Sequence, residues 1–139
     1  MLRYVSAALA VVAIALTAHA TSADAPKSPD TYAAQGCTIR AERPVSHSPR
    51  NNVVTLQAVV TYDGCRNAKI VAELTLKRSG EVVSRDSVRV RKSSGRVTPI
   101  VSNDYHNYGG RNFVTVARVT LANGETVILA SRAAEFPEV

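Results

Sequence analysis

The densest positive charge in this chain lies in residues 84–96, which read SRDSVRVRKSSGR. Arg85, Arg89 and Arg91 occupy odd-numbered positions, so in a β-strand their side chains would project from one face of the sheet. The planar guanidinium group matches phosphate, sulfate and carboxylate, so one hypothesis is a surface for an anionic ligand. The favoured interpretation of the charges themselves is a solvated face that keeps an edge strand from pairing with other chains. Aromatic side chains are not interleaved with these arginines, which disfavours single-stranded nucleic acid as the partner.

A second candidate site lies in residues 102–112, which read SNDYHNYGGRN. Loops on a rigid scaffold often carry binding residues, so Tyr105 and His106 are candidate ligand contacts. The favoured interpretation is structural, namely a corner where the chain turns between two strands, which the two glycines after Tyr108 would permit.

The sequence does not indicate catalysis. It contains no G-x-S-x-G motif, and its carboxylates are scattered over different predicted strands and turns. His47 stands between Ser46 and Ser48, but adjacency in sequence is not the geometry of a catalytic triad. His47 and His106 lack the spacing of metal ligands, so isolated solvated histidines are expected. We therefore expect a protein that is not an enzyme and that needs no metal or cofactor.

The N-terminus has the pattern of a secretory signal peptide. Arg3 precedes the apolar run 5–18, and Ala18 and Ala20 place small residues where cleavage requires them. We expect residues 1–20 to be removed, and the protein to be secreted or extracytoplasmic, in a periplasm or at a cell surface. A membrane anchor is the alternative, but the run is shorter than the roughly 20 residues that a spanning helix needs.

Cys37 and Cys65 are the two cysteines of the chain. In an oxidising compartment they predict a disulfide, which would close a loop of about 28 residues and stabilise the domain by about 3–4 kcal/mol. The alternative is a pair of buried free thiols. Lys plus Arg number 17 and Asp plus Glu number 11, so the net charge of +6 favours anionic partners.

From Cys37 onward, apolar and polar residues alternate, as in the runs 54–62 and 70–77. This period is typical of strands with one buried face. It predicts a single domain at 37–139, an antiparallel all-β sandwich, after a flexible lead-in at 21–36. About seven strands are expected, near residues 37–43, 53–62, 69–78, 81–91, 96–101, 112–122 and 125–134.

Two turns set the predicted register. Asn123-Gly124 predicts a two-residue type I′ turn, which would pair Val119 with Ile128.

In the other hairpin, KRSGEV, a three-residue loop with Gly80 in the left-handed conformation would pair Leu76 with Val82. That register keeps the three arginines on the outer face, but it places Ser84 and Asp86 on the inner side.

Asp104 and Tyr108, four residues apart before the sixth strand, resemble the Asp-x-x-x-Tyr of immunoglobulin-like domains. The resemblance implies an immunoglobulin-like sandwich in which Asp104 and Tyr108 form a structural corner and the hydroxyl of Tyr108 bonds to backbone upstream. The chain departs from the family pattern at Gly110, where a cysteine would stand, and in a disulfide that does not match the usual bridge between sheets. The resemblance concerns the fold and not the function.

These observations favour a secreted, noncatalytic binding or surface-interaction protein whose ligand the sequence does not identify, with an anionic polysaccharide or envelope polymer as the candidate. A structural protein that associates with the cell envelope or assembles with itself is one alternative. A small enzyme or enzyme inhibitor is another. Neither a specific nucleic acid nor a transmembrane segment in the mature chain is expected.

Overall fold

The computed structural model describes residues 29–47, 54–102 and 108–136. They form one antiparallel sheet that curls strongly into a half-barrel. The all-β antiparallel class is confirmed, but the number and division of the strands differ from the prediction. The described residues contain eight strands, which are β1 (Thr31–Ala34), β2 (Cys37–His47), β3 (Thr55–Leu76), β4 (Val82–Val97), β5 (Ile100–Ser102), β6 (Asn112–Thr120), β7 (Thr126–Ala130) and β8 (Ala134–Glu135).

The long central strand β3 accounts for most of this difference. Its 22 residues cover both of the strands predicted at 53–62 and 69–78. Instead of turning back between them, the chain forms a β-bulge between Tyr62 and Cys65, where Gly64 has a φ of 68°. A bulge bends its strand and increases the local twist. The two halves of β3 therefore lie in different parts of the curled sheet.

The halves of β3 share one neighbour and differ in the other. Strand β4 runs along one side of both halves. On the opposite side, β2 pairs with residues 55–63 and β6 pairs with residues 69–76. Strand β5 continues the β4 side at residues 55–57, while β1 and β7 lie outside β2 and β6. The single sheet thus has two differently ordered halves joined through β3 and β4.

The curl brings the inner faces of the two halves into one core. A buried cluster joins residues of five strands, namely Ile39, Ala41, Val60, Ile70, Ala72, Val90, Val97, Ala117, Val119 and Leu129. A second cluster contains Leu56, Leu74, Phe113 and Phe136. In addition, the amide of Val59 donates to the hydroxyl of Thr115 at 3.3 Å, which ties the first half of β3 to β6.

The predicted disulfide is present. The sulfur atoms of Cys37 and Cys65 are 2.05 Å apart, and the bond joins the start of β2 to the bulge of β3. Gly64 lies beside it, so close to the carbonyl of Gly36 that a Cβ at this position would overlap the oxygen. The disulfide and this close backbone contact fix the place where β3 bends.

The register predicted for the hairpin of β3 and β4 is confirmed away from its turn. Leu74 pairs with Ser84, as the predicted offset requires, and Gly80 has the expected positive φ of 75°. A bulge after Leu74 shifts the pairing by one residue next to the turn. The hydroxyl of Ser84 donates to the carbonyl of Ile100 at 2.9 Å, so this inward polar group has a partner.

The register predicted for the hairpin of β6 and β7 is wrong by one residue, since Val119 pairs with Val127. A type I′ turn needs positive φ at both central residues, but only Gly124 has it, with a φ of 87°. The carboxamide oxygen of Asn123 instead accepts a hydrogen bond from the amide of Glu125 at 2.9 Å. The resulting longer loop leaves Ile128 on the outer face, 44% exposed.

Strand β1 lies inside the segment 21–36, which the composition predicts to be flexible. It pairs with the start of β2 through a turn in which Gln35 and Gly36 have positive φ. The carbonyl of Asp30 accepts a bond from Ala41, and that of Pro29 accepts one from Ala130. The boundary predicted at Cys37 is therefore too late, because backbone pairing orders this segment without an apolar pattern.

Candidate functional site

The basic side chains of β4 project from the outer face of the sheet. Val90 is buried in the core and faces Ala68 of β3. Alternation along the strand then turns the odd-numbered positions outward, and Arg85, Arg89 and Arg91 are all exposed. The structure thus places the three arginines on one face, but it gives them different surroundings.

Arg85 is held by an ion pair. Its Nε and Nη2 donate to Oε2 of Glu73 at 2.9 and 2.6 Å. Arg118 of β6 donates from Nε to Oε1 of the same carboxylate at 2.9 Å. The Glu73 side chain is 2% exposed, whereas those of Arg85 and Arg118 are 60% and 52% exposed. The two arginines therefore cover a buried acid on the outer face, and we call these three residues the Glu73 triad.

Arg89 and Arg91 lie further along the same face, beyond the Glu73 triad. Arg89 is directly opposite Lys69 of β3, and both side chains are exposed. These two residues and Arg91 line a cavity of about 480 Å³, together with polar Asn67 and Thr120 and apolar Leu121. We call this surface the basic groove and define it by Lys69, Arg89 and Arg91.

The charges of the basic groove are not balanced by the ion pairs of the described residues. Those pairs both belong to Glu73. Like charges at directly opposed positions of an antiparallel pair destabilise it. The juxtaposition of Lys69 and Arg89 thus costs folding free energy that an anion between them would offset.

The second predicted site is described only in part. Tyr105 and His106, and also Asp104 of the predicted corner, lie outside the described residues. Tyr108 is half-buried, and its ring meets that of Phe113 edge-on with centroids 5.5 Å apart. Its carbonyl accepts a hydrogen bond from the backbone amide of Arg111 at 3.0 Å. The ring packs against Phe113, as expected for a structural residue. The hydrogen bond from its hydroxyl to the backbone stays a prediction.

The described residues contain no group of three or more His, Cys, Asp or Glu side chains that could hold a metal ion. His47 is exposed at the end of β2. Both cysteines are in the disulfide, so neither offers a free thiol. Within residues 29–47, 54–102 and 108–136, no helix is long and apolar enough to cross a membrane.

Lys69 is the member of the basic groove that sequence reasoning missed. The predicted offset that pairs Leu76 with Val82 also pairs Lys69 with Arg89, so the signal was available in the sequence. The same offset places Glu73 opposite Arg85, and both pairs are present in the structure. Arg118 could not be found in this way because it reaches Glu73 from β6, 45 residues away along the chain.

No protein-family model matches the chain, and no curated protein matches it significantly.

Proposed function

We propose that this protein is a secreted, noncatalytic binding protein whose basic groove takes an anionic polysaccharide or a similar anionic envelope polymer. One observation carries the proposal: Lys69 and Arg89 face each other, with Arg91 one step away, around a cavity of about 480 Å³. The strand geometry sets Arg89 and Arg91 about 7 Å apart. Sulfate, phosphate or carboxylate groups spaced along a polymer would meet such a row.

The Glu73 triad removes Arg85 from the residues that we assign to polymer binding. Arg85 donates two hydrogen bonds to a buried carboxylate, so its guanidinium group is already engaged. Arg89 and Arg91 take part in neither of the two ion pairs found among the described residues. We therefore assign the polymer to Lys69, Arg89 and Arg91, and we assign stability to Arg85.

Retention on a heparin column in a salt gradient tests the proposal, with heparin as the sulfated polysaccharide probe. The variant Lys69→Ser/Arg89→Ser/Arg91→Ser should elute at a clearly lower salt concentration than the wild type. Exposed ion pairs contribute about 0.2–1 kcal/mol each, so the loss of three should be about 0.6–3 kcal/mol, or about 3- to 150-fold in affinity. Salt should weaken wild-type binding because exposed charges are screened.

The matched control removes three cations elsewhere. Arg40, Arg96 and Arg132 are exposed and lie outside the basic groove, and Arg40→Ser/Arg96→Ser/Arg132→Ser lowers the net charge by the same amount. It should keep most of the wild-type retention. Equal losses in the two triple variants would show that retention follows total charge, and the proposal would fail.

Extracytoplasmic localisation and the removal of residues 1–20 are also part of the proposal. The disulfide supports them, because such bonds persist in oxidising compartments. We infer an immunoglobulin-like relationship of the fold as well. It is supported by a half in which β4, β3, β6 and β7 are neighbours, an order like that of one sheet of variable-type domains.

A further inference from the structure

A second group of cations surrounds a cavity at one end of the sheet, remote along β3 from the basic groove. The cavity has a volume of about 640 Å³ and lies between the turn after β3 and the segment that leads into β6. The described residues that line it include three cations and no carboxylate, namely Lys77, Arg78 and Arg111 with Ser79, Asn112 and Leu76.

We propose that this cavity is an anion site for a compact ligand with two or more adjacent phosphate or carboxylate groups. Its volume falls within the roughly 300–1,000 Å³ of small-molecule sites. Two of the cations are arginines, whose planar forks bind phosphate or carboxylate through paired hydrogen bonds. Exposed Ser79 and Asn112 supply further polar groups at the rim. This inference does not depend on the proposed function, because the two sites share no residue.

Backbone hydrogen bonds hold both walls of the cavity in place. The amide of Lys77 donates to the carbonyl of Asn112 at 3.0 Å, which joins the two segments directly. The amide of Gly110 donates to the carbonyl of Phe136, and the amide of Phe136 donates to the carbonyl of Arg111. Phe136 is fully buried, so this wall is anchored in the core. The positions from which the three cations extend are therefore fixed before a ligand arrives.

Calorimetric titration at constant ionic strength tests the site, with inorganic pyrophosphate and citrate as separate probes. The wild type should bind at least one of them saturably with one site per chain. Tighter binding of pyrophosphate would assign phosphate to the site, and tighter binding of citrate would assign carboxylate. In Lys77→Ser/Arg78→Ser/Arg111→Ser the affinity should fall about 3- to 150-fold, as expected for the loss of three exposed charged contacts.

The basic-groove variant Lys69→Ser/Arg89→Ser/Arg91→Ser has the same loss of charge and serves as the control. It should bind the small probe as the wild type does, and the cavity variant should keep its retention on heparin. A urea midpoint for each variant verifies folding, and Arg78→Ser alone replaces the triple variant if that one does not fold. Absence of saturable wild-type binding, or equal weakening in both triple variants, would overturn the inference.

Discussion

Removing both arginines of the Glu73 triad should destabilise the protein by more than the two single losses together. In Arg85→Ala, the carboxylate keeps its bond from Arg118, and in Arg118→Ala it keeps two from Arg85. In the double variant, a carboxylate that is now 2% exposed has lost both partners. A buried charge without a partner is costly, so the free energies of unfolding should not be additive.

The geometry sets the expected size of the effect. Breaking a fully buried ion pair costs about 3–5 kcal/mol, but here the arginines are more than half exposed, and their removal admits water to Glu73. We therefore expect about 1 kcal/mol for each single variant and about 3 kcal/mol for the double, a coupling of about 1 kcal/mol. Replacing Glu73 by Leu in the double variant should recover most of the lost free energy of unfolding, because leucine carries no charge that needs a partner.

Urea denaturation measures these differences from the midpoints, provided that the slopes of the transitions agree. Two results would refute the reasoning. One is additivity of the single variants within about 0.5 kcal/mol, which would mean that the arginines act independently of the shared carboxylate. The other is a further loss on adding Glu73→Leu to the double variant, because the unpaired charge would then not be the cause.

Three other predictions follow from the fold. Natively folded protein alkylated without reductant should take up no label at Cys37 and Cys65, and reduction should lower the stability by about 3–4 kcal/mol; labelling of both cysteines would contradict the disulfide. Gly64→Ala should destabilise the domain by more than about 1 kcal/mol in a thermal or urea transition, because φ is positive there and a Cβ would meet the Gly36 carbonyl, whereas Gly124→Ala, with open space around it, should cost less. Tyr108→Phe should lower the free energy of unfolding by about 1 kcal/mol if the hydroxyl bonds to backbone, as predicted. An unchanged urea midpoint would mean that Tyr108 contributes only through the packing of its ring against Phe113.

Local patterns predicted the hairpin of β3 and β4 well, and the reason lies in its short range. Apolar alternation on both strands admits one offset that turns Val88 and Val90 toward the core, and Gly80 supplies the turn. Slipping this pairing by one residue would turn every side chain to the other face, so the core fixes the register. The core fixes the pairing of β6 with β7 less strongly, because both faces of β7 carry apolar side chains. The observed register is one residue away from the predicted one and leaves Ile128 as the exposed large apolar residue of this strand.

The continuity of β3 was beyond local reasoning. The residues around Asp63-Gly64 have the composition of a turn, and they do contain a residue with positive φ. What makes them a bulge is the pairing of the flanking residues with the single strand β4, together with a disulfide to the start of β2. Both are contacts between distant parts of the chain. Such contacts decide between a turn and a bend, while the local sequence is suited to either.

Arginines that look equivalent in the sequence have different roles because of a single acid. Arg85 and Arg89 are four residues apart on one strand and one face, yet Arg85 lies opposite Glu73 and Arg89 lies opposite Lys69. The cross-strand partner, and not the local charge density, separates a stabilising residue from a candidate ligand contact. Removing Arg85, Arg89 and Arg91 together would therefore disturb the triad and the basic groove at once, and a loss of binding could not be separated from a loss of stability. The variant Lys69→Ser/Arg89→Ser/Arg91→Ser avoids this problem. It leaves Arg85 and Arg118 in place, so Glu73 keeps both of its partners.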